Sequence, residues 1–409
     1  MKTGVTKLRF PEFRDSKEWP MISGDKIFDP ISNKNHNSDL PILAITQEYG
    51  AIPREDIDYQ VSVTKKSIES YKVVEVGDFI ISLRSFQGGI EYSNFKGLCS
   101  PAYIILRKKI DVINQFFKQY FKTNIFIQNM NKNIEGIRDG KMVSYKQFSE
   151  LLLPNPSPEE QQKIADCLSS ADELITTQAQ KVDALKAHKK GLMQQLFPAE
   201  GEIVPKLRFP EFRDAGEWEK TPLGRVIEIA SGQVDPTKSP YCDLPHVGGE
   251  NIESDTGAIL NVSTAKELYL ISGKYAFDES YILYSKIRPA LNKVARPEFK
   301  GICSADIYPI RPATSELLLA YLPYMLLSKM FLEYAKKHSD RGKIPKVNRD
   351  ALKAYIPSLP TPAEQRRIAD CLTSIDELVA AQAQKLDALK AHKKGLMQKL
   401  FPVMDEVDL

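Results

Sequence analysis

From Glu160 to Pro198 the sequence reads EQQKIADCLSSADELITTQAQKVDALKAHKKGLMQQLFP, and from Glu364 to Pro402 it reads EQRRIADCLTSIDELVAAQAQKLDALKAHKKGLMQKLFP. The two stretches are identical at 30 of their 39 aligned positions. Each follows a hydroxyl residue and a proline, in the order that is typical of a capped helix start with a glutamate in the first turn. We therefore predict one helix per copy, about 58 Å long at 1.5 Å per residue.

The apolar residues of both copies recur in alternating steps of four and three. This period of 3.5 residues is typical of a coiled-coil seam. The seam positions are Ile164, Leu168, Ala171, Ile175, Gln178, Val182, Leu185, Lys189, Leu192 and Leu196 in the first copy, and Ile368, Leu372, Ile375, Val379, Gln382, Leu386, Leu389, Lys393, Leu396 and Leu400 in the second. Two matching seams in one chain predict an intramolecular coiled coil.

The orientation of this coiled coil is not fixed by the pattern, because a large domain separates the two helices. An antiparallel pair would relate the copies by a pseudo-twofold axis, and we predict that arrangement. Gln178 and Gln382 fall in the middle of the seam. They either form a polar layer that fixes the register, or helix drift leaves them exposed.

The composition places the chain among ordinary globular proteins. Its 409 residues are 42% hydrophobic and 27% charged, and they suffice for two or three domains. The net charge of +3 is too small to indicate nucleic-acid binding by itself. Five cysteines without a CxxC pair, no signal-peptide core and no long apolar run predict a soluble protein of the reducing cytoplasm.

A second repeat shows that the duplication extends beyond the helices. KLRFPEFRD occurs at residues 7–15 and again at 206–214. We expect these segments to pack their aromatic residues against helix ends or a domain edge. The predicted order is an N-terminal segment with a first domain (1–157), a first spacer helix (158–198), a linker segment with a second domain (199–361), a second spacer helix (362–402) and a tail (403–409).

The two domains that lie between each KLRFPEFRD segment and the following helix share only short, scattered sequence similarities. NFKGLCSPAYIILR from Asn94 aligns with EFKGICSADIYPIR from Glu298. The stretches rich in β-branched and aromatic residues predict strands, and helices are predicted near residues 113–130 and 315–337. The fold class is thus α+β, with two mixed α/β domains and an antiparallel helix pair. Two nearly identical helices that carry two diverged domains suit recognition of two different targets at a fixed separation. The alternative is a plain tandem duplication whose domains have since diverged by sequence drift.

Motifs for catalysis are missing from the sequence. It contains no GxxxxGK[ST] phosphate loop, no glycine-rich S-adenosylmethionine loop, no NPPY or DPPY tetrapeptide and no HExxH. HVGGEN, from His246, lacks the spacing of a phosphate cradle, and we interpret it as a turn between strands. No metal site is predicted.

Basic, amide and aromatic residues cluster in matching loops of both domains. Arg, Lys, Gln and Asn are the side chains that read base edges and hold phosphates, so these residues are the candidate DNA contacts. They are Arg84, Phe86, Gln87, Arg138, Lys141, Tyr145 and Lys146 in the first domain, and Lys286, Arg288, Asn292, Lys293, Arg341, Lys343, Lys346 and Asn348 in the second. The pattern does not separate base contacts from phosphate contacts, and a solvated surface role remains open for each residue.

Taken together, these features resemble the specificity subunit of type I restriction–modification enzymes. The resemblance covers essentially the whole chain. It rests on the doubled helix, the doubled KLRFPEFR and the paired diverged domains, and also on PILAITQEYGAIPR from Pro41, SLRSFQGGIEYS from Ser82, SKIRPALNKV from Ser285 and GKIPKVN from Gly342. One departure is that the first copy lacks the Pro-Leu-Gly that follows Trp218, so the entry to the first domain is expected to differ.

The resemblance implies a non-catalytic subunit of a phage-defence system. Each target-recognition domain would read one half of an asymmetric bipartite site in double-stranded DNA, and the helices would act as a ruler. Two methyltransferase subunits and motor–endonuclease subunits would supply the chemistry, with S-adenosylmethionine, ATP and Mg²⁺ bound there and no cofactor in this chain. The alternatives are a stand-alone bipartite DNA-binding regulator and a scaffold that joins two proteins.

Overall fold

A computed structural model describes residues 3–37, 39–47, 49–57, 65–82, 90–132, 144–340 and 344–402 of the chain. The chain forms two compact units, of which the first comprises Met1–Gln178 and Lys385–Leu409 and the second Ala179–Gln384. Each unit contains one head, the N-terminal half of the long helix that follows this head, and the C-terminal half of the other long helix. The first head is residues 3–157 and the second head is residues 199–361.

The first head is built from short strands and helices around one aromatic core. Its strands are β1 (Thr3–Gly4), β2 (Trp19–Ser23), β3 (Phe28–Ile31), β4 (Leu43–Thr46), β5 (Gly50–Pro53), β6 (Lys72–Val74), β7 (Phe79–Ile81), β8 (Glu91–Tyr92), β9 (Gly97–Cys99), β10 (Ile104–Lys108) and β11 (Leu152–Pro154). Its helices are α1 (Gly24–Ile27), α2 (Lys65–Ile68), α3 (Asn114–Tyr120), α4 (Asn124–Lys132) and α5 (Tyr145–Glu150), with 3₁₀ turns at Pro11–Phe13 and Arg54–Asp56.

The main sheet of the first head has the antiparallel order β3-β10-β7-β8. Smaller sheets are β1-β2-β11, β4-β5 and β6-β9. The core joins this sheet to α3, because the ring of Phe28 in β3 meets that of Phe117 in α3 at 5.1 Å and 89°. Such edge-to-face contacts between buried rings stabilise the packing beyond the area they bury.

The second head repeats this plan with its own additions. Its strands are β12 (Glu219–Lys220), β13 (Ile227–Ile229), β14 (Pro245–Val247), β15 (Ser263–Thr264), β16 (Tyr275–Phe277), β17 (Ile282–Ser285), β18 (Val294–Ala295), β19 (Gly301–Cys303), β20 (Ile307–Pro312) and β21 (Ser358–Leu359). Its helices are α7 (Leu223–Val226), α8 (Leu322–Leu327), α9 (Lys329–Lys337) and α10 (Arg349–Ala354), with 3₁₀ turns at Pro210–Phe212, Tyr241–Asp243 and Pro289–Leu291. The long helices are α6 (Pro158–Leu196) and α11 (Pro362–Leu400).

Two four-stranded sheets carry the second head. The sheet β13-β20-β17-β18 corresponds to the main sheet of the first head, and the sheet β15-β14-β19-β16 includes one parallel pair, β14 with β19. The remaining pair is β12-β21. At the entry to the heads β12 has two residues where β2 has five, although each strand is followed by a four-residue helix, α1 or α7.

Each predicted head helix is in fact two helices. In the first head the break lies between α3 and α4, where the Thr123 hydroxyl donates to the carbonyl of Tyr120 and accepts from the N–H of Phe126. In the second head Ser328 separates α8 from α9 and caps α9 by accepting from the N–H of Phe331. A hydroxyl side chain satisfies free N–H groups and so favours a new helix start at these positions.

The long helices begin and end close to their predicted limits, and each is 39 residues long. Their N-caps work as expected, because Ser157 Oγ accepts from the N–H of Glu160 and Thr361 Oγ1 accepts from that of Glu364, both at 3.4 Å. The glutamates of the first turn, Glu160 and Glu364, take part in other contacts. Within the described part of the chain, no helix is long and apolar enough to cross a membrane.

These glutamates bind the repeated KLRFPEFRD segments. The Arg9 guanidinium donates to both carboxylate oxygens of Glu160, at 2.6 and 2.7 Å, and Arg208 binds Glu364 in the same way at 2.7 and 2.8 Å. Bidentate pairs of this kind fix geometry as well as charge. The aromatic residues of the segments pack beside these pairs, Phe10 against the core that holds Ile164 and Phe209 against the core that holds Ile368, which confirms the predicted packing against helix ends.

The same segments also hold the end of the opposite long helix. The N–H of Leu8 donates to the carbonyl of Lys399 in the first unit, and that of Leu207 donates to the carbonyl of Gln195 in the second, both at 2.9 Å. Each unit therefore has the start of one long helix and the end of the other tied to one short segment.

Inside each unit the two helix halves run antiparallel. In the first unit Ile164 and Leu168 share a core with Leu400, while Asp172 binds Lys393. In the second unit Leu196 shares a core with Ile368 and Leu372, while Lys189 binds Asp376. Residues near the start of one long helix therefore contact residues near the end of the other. This is the predicted antiparallel orientation.

The predicted seam coincides with the covered face of both helices. None of its positions is exposed, whereas Leu174 and Leu378, which lie off the seam, are 59% and 43% exposed. Gln178 is only 7% exposed and Gln382 is half-buried. The alternative in which helix drift leaves both glutamines exposed is therefore excluded.

Candidate nucleic-acid interface

The structure describes eight of the fifteen predicted DNA contacts. The other seven lie outside the described residues, namely Arg84, Phe86, Gln87, Arg138, Lys141, Arg341 and Lys343. They remain predictions from the sequence. The second head therefore provides most of the described candidate interface.

In the first head, Tyr145 and Lys146 open helix α5. Ser144 caps this helix through a complete capping box with Gln147. The hydroxyl of Tyr145 donates to the carbonyl of Phe28 at 2.9 Å, and burial raises the pKa of this hydroxyl. Lys146 is exposed. Of the two, Lys146 is free to meet a phosphate, while Tyr145 ties α5 to the sheet.

In the second head, two loops that are distant in sequence come together. The N–H of Arg288 donates to the carbonyl of Pro345 at 2.7 Å, and the N–H of Val347 donates to the carbonyl of Lys286 at 2.8 Å. Ile287 and Lys346 lie opposite each other in this short antiparallel bridge. The loop that leaves β17 and the loop that enters α10 thus form one surface, which we call the paired-loop surface (residues 286–293 and 344–348).

Arg288 occupies a strained position on this surface. Its φ is +48°, in the left-handed region that non-glycine residues seldom adopt, and Asn292 has a φ of +47°. The two residues flank the 3₁₀ turn Pro289–Leu291. Strain of this kind persists only where the surrounding structure imposes it, and it is concentrated at functional sites. Here the strain accompanies an exposed guanidinium at the edge of the paired-loop surface.

Three of the predicted contacts have their polar groups engaged within the head. Asn292 is buried, and its Nδ2 donates to Asp255 Oδ1 at 2.8 Å. The ammonium of Lys293 donates to the carbonyl of Gly249 at 2.6 Å, and that of Lys286 donates to the carbonyl of Ala305 at 2.8 Å. These contacts favour a positioning role for Lys286, Asn292 and Lys293.

Arg288 and Lys346 are the described cations best placed to meet DNA. Both are exposed, and no carboxylate among the residues that the structure describes lies within 4.0 Å of either charge. Asn348 is exposed too, but its side chain caps α10 by accepting from the N–H of Ala351 at 2.8 Å. An exposed arginine can bind guanine or a phosphate through two hydrogen bonds, and a lysine can neutralise a phosphate.

Arg349 is a structural residue of this site that the sequence did not single out. Its guanidinium lies 5.0 Å from the ring of Tyr308 and 5.7 Å from that of Tyr275, and it donates to the carbonyl of Ala230 at 2.6 Å. The ammonium of Lys286 lies 5.2 Å from the same Tyr308 ring. Burial raises the pKa of Tyr308, while the charge of Arg349 lowers it. The sequence offers one indication of this role, namely that Arg349 directly follows the candidate DNA contact Asn348.

Comparison with known proteins gives a consistent result over both heads. A family model described as the type I restriction modification DNA specificity domain matches the chain twice, over residues 21–187 and 215–391. Each match covers most of one head and most of the long helix that follows it.

Among curated relatives, the type I restriction enzyme EcoDI specificity subunit of Escherichia coli is 30% identical over 210 residues, which are 50% of this chain and 46% of that protein. The MjaVIII specificity subunit of Methanocaldococcus jannaschii is 26% identical over 363 residues, covering 83% of this chain and 81% of the relative. The first match therefore spans about half of each protein, and the second most of both.

Solved structures share the fold. The crystal structure of a type I restriction-modification system S subunit from M. genitalium superimposes with a TM-score of 0.58 at 15% identity, over 98% of this chain and 100% of that one. A chain from a structure of type I R-M complex assembly and conformational transition gives a TM-score of 0.55 at 17% identity, over 94% and 97% of the two chains.

Proposed function

The chain belongs to the type I restriction–modification DNA specificity family, and we propose that its two heads read the two halves of a bipartite DNA site. The chain is a specificity subunit and has no catalytic role of its own. The observation that carries the proposal is the double family match, which assigns one DNA specificity domain to each head and its helix.

In the second head, we assign DNA contact to the paired-loop surface. The bridge between Ile287 and Lys346 holds Arg288 and Lys346 on one exposed surface. The strained backbone of Arg288 sets the direction in which its side chain leaves the main chain, and a guanidinium can distinguish guanine through two hydrogen bonds. Lys346, on a flexible stem, suits a phosphate, which positions the protein without reading sequence. In the first head, the exposed Lys146 near the start of α5 is the candidate for a phosphate contact.

The helix pair would set the spacing of the half-sites. Each head is attached to its long helix through a buried glutamine of the second helical turn. Gln161 Oε1 accepts from the N–H of Ile113 at 2.9 Å, and Gln365 Oε1 accepts from that of Leu318 at 2.8 Å. A rigid attachment is needed if helix length is to translate into a distance along DNA.

The repeated helix surfaces would dock two methyltransferase subunits. Leu174 and Leu378 occupy equivalent positions of the repeat, and both are exposed on helices whose sequences are nearly the same. Two helices that expose nearly the same residues suit two copies of one partner. Methyltransferase and motor–endonuclease subunits would bring S-adenosylmethionine, ATP and Mg²⁺ to the complex, in the cytoplasm.

Exchange of one head tests this function. The full chain would be co-expressed with its methyltransferase partner, and methylated adenines would be mapped across the host genome before and after residues 20–157 are replaced by the corresponding head of another family member. We expect a bipartite methylated site in which only one half changes. Changes in both halves, or a site without two parts, would contradict independent reading by the heads. Sequence-specific binding without any methyltransferase partner would favour the stand-alone regulator.

A further inference from the structure

Residues 248–251, the last four of the HVGGEN motif, form a closed turn directly after strand β14. The N–H of Gly248 donates to Asn251 Oδ1 at 2.8 Å, and the N–H of Asn251 donates back to the carbonyl of Gly248 at 3.1 Å. The amide of Asn251 also donates to the carbonyls of Leu260 and Asn261, at 3.0 and 2.9 Å. The turn is therefore a well-fixed element, as its glycines and asparagine predict.

This turn lies against the paired-loop surface. The ammonium of Lys293, which belongs to that surface, donates to the carbonyl of Gly249 at 2.6 Å. A Cβ atom placed on Gly249 would be 3.9 Å from Ser285 Oγ, at the end of strand β17. Arg288 follows Ser285 by three residues. The turn and the candidate DNA contacts are thus neighbours on the second head.

The turn presents one acidic side chain, Glu250, which is exposed. Its carboxylate is folded back over Gly248, since a Cβ atom on Gly248 would collide with both carboxylate oxygens. In this conformation the carboxylate occupies the space beside Gly248 that a side chain there would need. Among the described residues, no Lys, Arg or His nitrogen lies within 4.0 Å of the carboxylate. Its acceptor capacity is therefore not used by an ion pair of the head.

A carboxylate in this place does not suit a phosphate, because like charges repel. It suits the donor edge of a base, since Glu and Asp accept hydrogen bonds from the N4 amino group of cytosine in the major groove. We propose that Glu250 is a specificity-determining residue of the second head that accepts a hydrogen bond from a cytosine amino group. This inference rests on the proposed function and adds a residue and a base class to it.

The test uses the full chain with its methyltransferase partner and two variants, Glu250→Ala and Glu250→Gln. Bound sites would be selected from a DNA pool randomised over both half-sites, and affinities would be measured for the selected site and for unrelated DNA. Glu279→Gln is the matched control, because Glu279 is also an exposed glutamate of the same head but lies just before β17 and not in the turn after β14.

We expect Glu250→Ala to relax the preference at one base pair of one half-site, with discrimination falling on the order of tenfold. Affinity for unrelated DNA should rise, because one negative charge has been removed. Glu250→Gln should shift the preferred base from cytosine towards adenine, which glutamine binds through N6 and N7. The control should leave the selected site unchanged.

Two results distinguish this inference from the proposed function. If both Glu250 variants tighten binding to selected and unrelated DNA equally and select the parental site, Glu250 contributes charge alone and the inference is wrong. If the unaltered protein selects no bipartite site, the proposed function itself fails. Glu250→Gln keeps the shape of the side chain, so it remains informative if Glu250→Ala unfolds the turn.

Discussion

The carboxylate of Asp172 accepts a hydrogen bond from the ammonium of Lys393 at 2.6 Å, and so joins the first half of α6 to the last half of α11. The head takes part as well, because Gln119 donates to the other oxygen of Asp172 at 2.8 Å. In the second unit Asp376 binds Lys189 and accepts from the hydroxyl of Tyr324 at 2.9 Å. In each unit, one carboxylate therefore connects a head with both long helices.

Removal of this connection should weaken the first unit. In Lys393→Met the ammonium is replaced by an apolar side chain of similar length, and Asp172 loses its ion pair. We expect a loss of about 1–2 kcal/mol, less than the ~3–5 kcal/mol of a fully buried pair. The reason is that the Asp172 side chain is 42% exposed and Lys393 17% exposed, so water replaces part of the interaction. Denaturant unfolding measures the change, with the exposed Lys394→Met as control.

The charge-reversed pair Asp172→Lys/Lys393→Asp should recover part of this loss, whereas either reversal alone should not. Equal stability of Lys393→Met and the Lys394→Met control would mean that the ion pair does not stabilise the helix contact.

Arg288 and Lys346 should affect DNA binding in different ways. Lys346→Gln removes a candidate phosphate contact, so affinity should fall similarly for all sequences, and the slope of log K against log salt should shrink by about 0.9. Arg288→Ala should instead relax preference at one base pair, at ~1–3 kcal/mol of discrimination. Binding isotherms at several salt concentrations, with selected and unrelated DNA, separate the two effects. Unchanged affinity and slope in the double variant would remove the paired-loop surface from the interface.

A longer helix pair should lengthen the gap between half-sites. Duplication of residues 178–184 and 382–388 adds one heptad to each helix, which is about 10 Å at 1.5 Å per residue. The seam is preserved, so folding should survive. Since DNA rises 3.4 Å per base pair, the preferred gap should grow by about three base pairs. The heads also turn around the DNA axis by roughly a quarter turn, so affinity should fall.

Site selection with the methyltransferase partner measures the gap. Insertion of a heptad into only one helix is the control, because it interrupts the match between the two seams. A well-folded variant that keeps the parental gap would show that the helices do not measure DNA.

His246 should make the second head sensitive to acid. Both ring nitrogens lack a hydrogen-bond partner among the described residues. Burial lowers the pKa of His246, as does the charge of Lys274, while Glu250 raises it. The unfolded chain therefore takes up a proton at a higher pH than the folded one. Stability is fully present above the unfolded pKa of about 6.5 and falls as the pH drops from there towards the lower folded pKa.

His246→Leu, which cannot titrate, should flatten this part of the pH dependence. Thermal unfolding of both proteins between neutral and mildly acidic pH provides the comparison, and His338→Leu, at an exposed site of the same head, is the control. If His246→Leu loses as much stability between neutral and mildly acidic pH as the parental protein does, His246 is not the cause of the acid sensitivity.

The sequence alone predicted the two long helices far better than the candidate DNA contacts. Particular residues show the reason. The starts of α6 and α11 depend on local signals such as Ser157-Pro158, and the seam depends on a simple period. Tyr145, by contrast, donates to a carbonyl 117 residues earlier in the chain, and no local pattern reveals such a contact. The same holds for Asn292 with Asp255, and for Arg349 between two tyrosines. Contacts between distant strands and loops decide which side chains remain available to DNA.

Because of the way the repeated segments are attached, the structural elements follow one another in a closed circle, in which residue 402 lies next to residue 4. Gly4 packs against Pro402 in the first unit, where Leu8 also binds Lys399. In the second unit the equivalent junction, from Gln195 to Leu207, is a continuous chain. The same two-headed molecule should therefore form from a circularly permuted gene, in which a short linker joins residue 402 to residue 4 and new termini open between residues 199 and 205. Which head is translated first would then be a property of the gene and not of the folded protein.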